Sequence, residues 1–229
     1  MLIAEDLLLL LTEEETGKLL LSSTDVGFAL AGALLIELTL QERVGLAPAG
    51  GADKQGTVVV RDAQPTGDAL LDHALEVIGA KPRKAKDVLG KLTKNLRSGL
   101  YARLSEKGLV RAQHGKVLGV FPTSRWPEQD AGHERQVRAA LDGVLVQGVE
   151  PEPRTASLIA LLSSLRAVHK VVDPSQHGVS KKDLTLRAKE IAEGNWGSQA
   201  VRKAIDEVTA AVVVAVSATA VAGADGGSS

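Results

Sequence analysis

The chain has 229 residues, of which 44% are apolar, so a disordered chain is excluded and the length suffices for one large domain or two small ones. Aromatic residues make up only 2%, so the core must consist of Leu, Val, Ala and Ile, a composition that favours packed helices. The absence of cysteine excludes disulfides and thiolate chemistry, and the net charge of −1 departs from the basic balance typical of nucleic-acid-binding domains.

The first eighty residues predict a helix end or hairpin, one long helix, two strands and a second helix. Leu7–Thr12 and Lys18–Leu21 flank a turn-like break. Asp25 is expected to cap a helix that runs to about Gln41 and is hydrophobic nearly all round, which places it at the centre of the fold. The two strands are expected at 44–46 and 57–61. The second helix is expected after Pro65-Thr66-Gly67-Asp68, with apolar positions from Leu70 to Ile78.

A strongly basic segment follows at residues 81–103. It contains eight basic residues and one acid and so carries +7, which leaves −8 for the rest of the chain. Leucines at three- and four-residue spacing predict one buried helical stripe at Leu89, Leu92, Leu96, Leu100 and Leu104. Lys91, Lys94 and Arg97 fall on the opposite side of that helix. The charge indicates an anionic partner, and a merely solvated helix face is the alternative.

The remaining chain predicts a hairpin and three or four helices. Strands at 109–112 and 116–121 are expected on either side of a turn at 113–115. The helices are expected at about 127–147, 154–172, 180–193 and 198–221. Residues 1–222 are therefore predicted to form a single domain and residues 223–229 a disordered tail.

Catalytic, metal and targeting signals are weak. His133-Glu134 begins a metalloprotease-like pair, but Val137 stands where the second histidine would be needed. No phosphate-binding glycine loop and no nucleophile elbow occurs. The apolar run at 208–222 is too short to span a bilayer, so any membrane contact is expected at the surface. We therefore expect a binding protein with no enzymatic activity, cofactor or metal.

Three stretches together resemble the Golgi phosphoprotein 3 family. The most specific is A-Q-P-T-G-D-A-L-L-D-H-A-L at residues 63–75, and G-A-L-L-I-E-L at 32–38 and L-S-E-K-G-L at 104–109 accompany it in the same order. The resemblance spans nearly the whole chain. It implies a mainly α, globular domain of hydrophobic central helices ringed by amphipathic helices, with short β-hairpins. Eukaryotic members of the family bind phosphatidylinositol 4-phosphate and act as adaptors for Golgi enzymes, so the resemblance implies a peripheral lipid-binding protein.

The family's lipid site transfers to this chain in part. Two family arginines fall on Lys94 and Arg97, with Lys91 one turn away. A family tryptophan and a further arginine fall on Ser22 and Ala31, which removes an aromatic ring and a guanidinium. Binding is therefore expected to be electrostatic and weakly selective among anionic phospholipid headgroups, since a lysine ammonium is also a poorer bidentate phosphate ligand than arginine.

The resemblance also implies a second contact surface. The family's apolar hairpin tip, implicated in self-association and membrane contact, falls within residues 113–124, where Val117, Leu118 and Val120 stand in place of larger residues. We expect homo-oligomers through the 109–123 hairpin, and unidentified client proteins. The family-like region begins almost at Met1, so a bacterial relative is expected, cytoplasmic and peripheral on the inner membrane face.

Two other functions remain open at this stage. A basic helix followed by a hairpin is also the pattern of a winged-helix module, which would bind nucleic acid. A protein-interaction scaffold, in which the charges only solvate one face, is the third interpretation.

Overall fold

A computed structural model describes residues 1–47, 54, 56–117, 121–194 and 199–224 of the chain. The protein is mainly helical, as predicted. The helices in the described residues are α1 (Ile3–Leu10), α2 (Ser23–Leu40), α3 (Ala69–Gly79), α4 (Ala85–Leu92), α5 (Leu96–Glu106), α6 (Gly132–Leu145), α7 (Pro153–Ser164), α8 (Val168–Val171), α9 (Lys181–Ala192) and α10 (Gln199–Ala224). The strands are β1 (Val44–Leu46), β2 (Thr57–Val60), β3 (Arg83–Lys84), β4 (Gln113–Val117) and β5 (Phe121–Arg125).

Helix α2 is the centre of the fold, as its all-round hydrophobicity predicts. It packs against α1, α7 and α10, and a side chain on Gly32 would come within 2.9 Å of Val212 in α10. The glycine therefore permits the close approach of these two helices. The predicted N-cap, Asp25, is wrong by three residues, because the hydroxyl of Ser22 accepts a hydrogen bond from the Asp25 backbone N–H at 3.1 Å.

The length of α2 raises the question of a membrane span. Ser23–Leu40 is the one candidate in the described residues that is long and apolar enough to cross a bilayer. However, 61% of that window is buried inside the protein. Burial of this extent is that of a core helix, because its apolar surface is already covered by α1, α7 and α10.

The basic segment forms two helices, where the sequence predicted one. All five leucines of the predicted stripe are buried, but the chain turns between α4 and α5. Asn95 lies there in the left-handed region at φ 57°, a conformation that asparagine tolerates better than most residues. The Leu96 backbone N–H donates to the Thr93 carbonyl, which closes the turn. Lys94 therefore lies in the turn between the helices, not on a helical face.

A second predicted helix, 154–172, is also divided. It ends at Ser164, and α8 begins at Val168 after Arg166, which lies at φ 53°. At the other end of the domain, α10 continues to Ala224, so two residues of the predicted tail are helical and residues 225–229 lie outside the described residues.

The hairpin after α5 is displaced along the chain from its predicted position. Strand β4 pairs with β5 from Gln113↔Arg125 to Val117↔Phe121, so residues 113–115 lie in a strand instead of forming the turn. The predicted first strand, 109–112, is reduced to an isolated bridge between Val110 and Glu128. Leu109 and Val110 are buried against the core, and this packing fixes the start of the hairpin further along the chain.

A small antiparallel sheet lies beside the basic segment. Strand β2 pairs with β1 on one side and with β3 on the other, with Thr57 opposite Lys84. The sequence predicted β1 and β2 but not the two-residue β3. This pairing fixes the start of the basic segment to the sheet, and α4 begins directly after it.

Candidate functional site

The three predicted lipid-binding cations lie around the α4–α5 turn. Lys91 is in the last turn of α4, Lys94 is in the turn itself, and Arg97 is in the first turn of α5. Both lysines are exposed and Arg97 is half-buried. Among the described residues, no carboxylate forms an ion pair with any of the three. Their positive charge is therefore available to an anion from solution.

The cations line two adjoining hollows, not one row. A hollow of about 370 Å³, here called the Arg97 hollow, is bounded by Ser23, Thr24, Gly27, Phe28, Thr93, Asn95, Arg97 and Ser98. A second hollow of about 750 Å³ is lined by Lys91 and Lys94, and Asn95 lines both hollows. The prediction that Lys94 and Arg97 project from one helical face is therefore wrong, because the turn at Asn95 separates them.

The Arg97 hollow combines a guanidinium with a helix N-terminus. Ser23 and Thr24 open α2 and are exposed at the edge of the hollow. The unpaired backbone N–H groups of a helix start attract anions, and the nearby guanidinium adds a full positive charge. A phosphate group fits this chemistry. Sequence reasoning missed Ser23 and Thr24, although a run of three hydroxyl residues before a long apolar helix is a recognisable capping signal.

The two positions that depart from the family pattern have structural roles. Ser22 is the N-cap of α2, and its hydroxyl is already engaged by the backbone. Ala31 is 0% exposed, so no headgroup can reach its side chain. The family position that Ala31 occupies therefore belongs to the core in this chain.

Arg103 is one of the eight basic residues of the segment 81–103, but its charge is not available to a ligand because two carboxylates bind it. Its guanidinium donates to both carboxylate oxygens of Asp68, at 3.0 and 2.6 Å, and its Nε donates to Glu5 at 3.1 Å. Glu5 is fully buried and also accepts from the Lys107 ammonium at 2.6 Å. Burial opposes ionisation of Glu5, but the hydrogen bonds from Lys107 and Arg103 outweigh it and hold the pKa of this carboxyl below its usual range.

The most specific motif, residues 63–75, builds this ion-pair network. Asp68 caps α3 by accepting from the Leu70 backbone N–H at 3.0 Å while it binds Arg103. Asp72 accepts from both the backbone N–H and the hydroxyl of Thr66, at 2.6 and 2.7 Å. These contacts lock the loop before α3 against α5. The motif therefore has a structural role here, because its polar groups are occupied by the protein itself.

One cluster in the described residues brings three carboxylates together. Oxygens of Glu14, Glu128 and Glu134 lie within 4.8 Å of one another. Arg138 lies among them, with Nη2 2.6 Å from Glu134 and Nε 3.9 Å from Glu14. Glu134 is 3% exposed, and this burial raises its pKa to about 7. The negative charges of Glu128 and Glu14 raise the pKa further, whereas the positive charge of Arg138 opposes the rise. The protein supplies the positive charge of this cluster itself.

The predicted hairpin residues are only partly placed. Val117 is the last residue of β4 and pairs with Phe121. Leu118 and Val120 lie outside the described residues. At its base, the hairpin returns to the domain through Trp126, whose ring stacks on Tyr101 with the ring centres 4.8 Å apart.

Comparison with known families agrees with the resemblance seen in the sequence. Residues 3–208 match the family description Golgi phosphoprotein 3 (GPP34). The matched region extends from α1 into α10 and includes the α4–α5 turn, the hairpin and the Asp68–Arg103 network. The predicted family is confirmed.

Proposed function

The chain belongs to the Golgi phosphoprotein 3 family, and from this premise we propose that it binds anionic phospholipid headgroups at a membrane surface, and does not act as an enzyme. Lys91, Lys94 and Arg97 carry the binding, with Arg97 and the start of α2 receiving one phosphate group. The cellular setting that we propose is cytoplasmic and peripheral, on the inner face of a membrane. An adaptor role, in which the lipid-bound domain holds client proteins, follows the family's known activity.

The observation that supports this proposal most strongly is the contrast between the free and the occupied cations. Arg103 and Lys107 are held by Glu5 and Asp68, whereas Lys94 and Arg97 have no carboxylate partner among the described residues. A basic residue near an anionic membrane contributes about 1 kcal/mol of attraction. Three such residues together supply about 3 kcal/mol of attraction, and salt weakens it because the screening length is only about 8 Å at physiological ionic strength.

Selectivity for one inositol lipid has less support. Ser22 has no aromatic ring to lie against a headgroup, and Ala31 is buried in the core. Recognition thus depends on charge and on one guanidinium. We propose that the protein binds phosphatidylinositol 4-phosphate no more tightly than another lipid presented at equal surface charge.

The hairpin provides a shallow apolar contact in this proposal. The apolar residues at 117–121 are the segment that would touch the membrane or a second copy of the chain, as the family resemblance implies. A binding mode that combines charge with shallow insertion retains some affinity at high salt.

The winged-helix form of the nucleic-acid alternative has little support in the described residues. In a winged-helix module, the helix before the hairpin would enter a DNA groove. That helix is α5, whose two basic residues are Arg97 and Arg103, and Arg103 is engaged by Asp68. A single unpaired cation on α5 gives little electrostatic basis for binding a phosphate backbone.

Sedimentation with lipid vesicles tests the proposal. The full chain is mixed with phosphatidylcholine vesicles and with vesicles that also contain phosphatidylserine, across a salt series, beside a gel-shift assay with duplex DNA. We expect sedimentation with the anionic vesicles only, and a decrease as salt rises. Equal binding to neutral vesicles would contradict the electrostatic mechanism, and a DNA shift without vesicle binding would favour the nucleic-acid alternative.

A further inference from the structure

A second cationic surface lies where the basic segment begins, and it borders the hollows at the α4–α5 turn through Phe28 and Lys91. It is a groove of about 980 Å³ between β3, the start of α4 and one side of α10. Its basic lining residues, which define what we call the cationic groove, are Lys54, Lys81, Arg83, Lys84, Lys86 and Lys91. Asp87 is the one acid among the described lining residues. Phe28 and the small residues Ala215 and Ala218 form its apolar wall.

The described residues form no ion pair that would neutralise the charges of the cationic groove, although the protein as a whole is slightly acidic. Arg83 is held in place by its own backbone surroundings, since its guanidinium donates to the Val77 carbonyl at 2.9 Å and to the Lys81 carbonyl at 3.3 Å. Like charges gathered in a concave surface repel one another and raise the local concentration of anions.

The start of α4 adds a further attraction for anions. Its N-cap residue is Lys84, whose side chain makes no capping hydrogen bond. The first-turn N–H groups of α4 thus lack the side-chain acceptor that Asp68 supplies to α3 and Ser22 supplies to α2. A ligand oxygen near this helix start would meet both the N–H groups and the lysine ammoniums.

The size and spread of the groove determine what it can accept. The cations are distributed over a strand, a helix start and the last turn of α4, so a single phosphate cannot contact them all. Its volume lies within the range of small-molecule sites, about 300–1,000 Å³. We propose that the cationic groove is a separate binding site for a ligand that carries two or more phosphate groups, either a free polyphosphorylated molecule or a multiply phosphorylated lipid headgroup.

This site shares Lys91 with the membrane-binding cations proposed above, but its other five basic residues lie outside both hollows at the α4–α5 turn. Lys84 and Lys86 line the cationic groove and neither of the two hollows at the α4–α5 turn. Lys94 and Arg97 line those hollows and not the groove. The two pairs of residues therefore separate the two proposals experimentally, and either proposal can fail while the other stands.

Isothermal titration calorimetry with inorganic tripolyphosphate tests the site directly. We expect the full chain to bind tripolyphosphate at least tenfold more tightly than orthophosphate, and Lys84→Glu/Lys86→Glu to weaken tripolyphosphate binding about tenfold or more. Lys181→Glu/Lys182→Glu, exposed on α9, is the matched control and should stay within about twofold of wild type. Lys84→Gln/Lys86→Gln, which removes charge without reversing it, should give an intermediate loss, and thermal melts check that each variant is folded.

Vesicles identify the source of the ligand. If phosphatidylinositol 4,5-bisphosphate in phosphatidylcholine vesicles binds the wild type more tightly than phosphatidylserine at equal charge, and Lys84→Glu/Lys86→Glu removes that difference, the ligand is a lipid headgroup. If tripolyphosphate binding is lost in this variant without such a vesicle effect, the ligand is a free polyanion. If folded Lys84→Glu/Lys86→Glu binds tripolyphosphate as tightly as wild type, or orthophosphate binds as tightly as tripolyphosphate, the proposal is wrong.

Discussion

Replacing Arg103 with methionine tests whether the family motif acts through the Asp68–Arg103–Glu5 network. The methionine retains much of the side-chain volume but removes the three hydrogen bonds that the guanidinium donates. Glu5 would keep Lys107 and the Leu2 backbone N–H as partners, and Asp68 would keep its cap on α3. Both carboxylates would nevertheless lose their shared counter-charge in a partly buried site.

The expected destabilisation follows from burial. Removing one partner of a fully buried ion pair costs about 3–5 kcal/mol, and because 27% of the Arg103 side chain is exposed, we expect about 2–3 kcal/mol here. For a domain of this size, that loss lowers Tm by roughly 4–12 °C. The pKa values of Glu5 and Asp68 lie below their usual range, so this stabilisation is present above the unfolded-state pKa values and is lost as pH falls through the folded-state ones.

Urea unfolding and thermal melts measure the effect. Arg111→Met is the matched control, because Arg111 is exposed and forms no ion pair in the described residues; it should change stability by less than about 0.5 kcal/mol. The Arg103→Met variant should also lose less stability than wild type on acidification. If Arg103→Met has the same melting temperature as the Arg111→Met control, the motif does not act through this network.

Two further predictions concern other parts of the domain. Gly17 lies at φ 62°, and a Cβ there would come within 2.2 Å of the Trp126 backbone nitrogen. A Cβ on Gly67, at φ 81°, would meet open space, so Gly67→Ala costs only the backbone strain of roughly 1–2 kcal/mol. Gly17→Ala should therefore lower Tm far more than Gly67→Ala, and equal melting temperatures of the two variants would contradict this. The pKa of Glu134 is raised from 4.5 to about 7, so this carboxyl is protonated more readily in the folded than in the unfolded state. The free energy of unfolding of the wild type should therefore fall by roughly 2–4 kcal/mol as pH rises from the lower to the higher of these two values. Urea unfolding of Glu134→Gln should show a weaker fall, and an unchanged pH profile would refute the assignment.

Features encoded in local patterns were predictable from the sequence. The all-round hydrophobicity of α2 predicted a central helix, and the spacing of five leucines predicted the buried stripe of α4 and α5. The segment 65–68 was predicted to precede a helix, and its last residue, Asp68, is the cap of α3. In each case, neighbours a few residues apart determine burial or capping, so the amino-acid order is sufficient.

Features that depend on distant residues were not predictable. Arg103 counted as a free cation in the sequence, because its partners Asp68 and Glu5 lie 35 and 98 residues away. The division of the basic helix depends on the left-handed Asn95, since asparagine is also compatible with a helix interior. The hairpin register was missed because the burial of Leu109, and not the turn-like 113–115, fixes where pairing begins.

The proposed function depends on the free cations at the α4–α5 turn, and charge reversal of Lys94 and Arg97 tests them most directly. Lys181→Glu/Lys182→Glu is the matched control, since both residues are exposed on α9, which packs mainly against α6, α7 and α8. We expect Lys94→Glu/Arg97→Glu to lose sedimentation with phosphatidylserine vesicles, while the control sediments as wild type does and both variants melt close to it. Normal vesicle binding by folded Lys94→Glu/Arg97→Glu would contradict the proposed site.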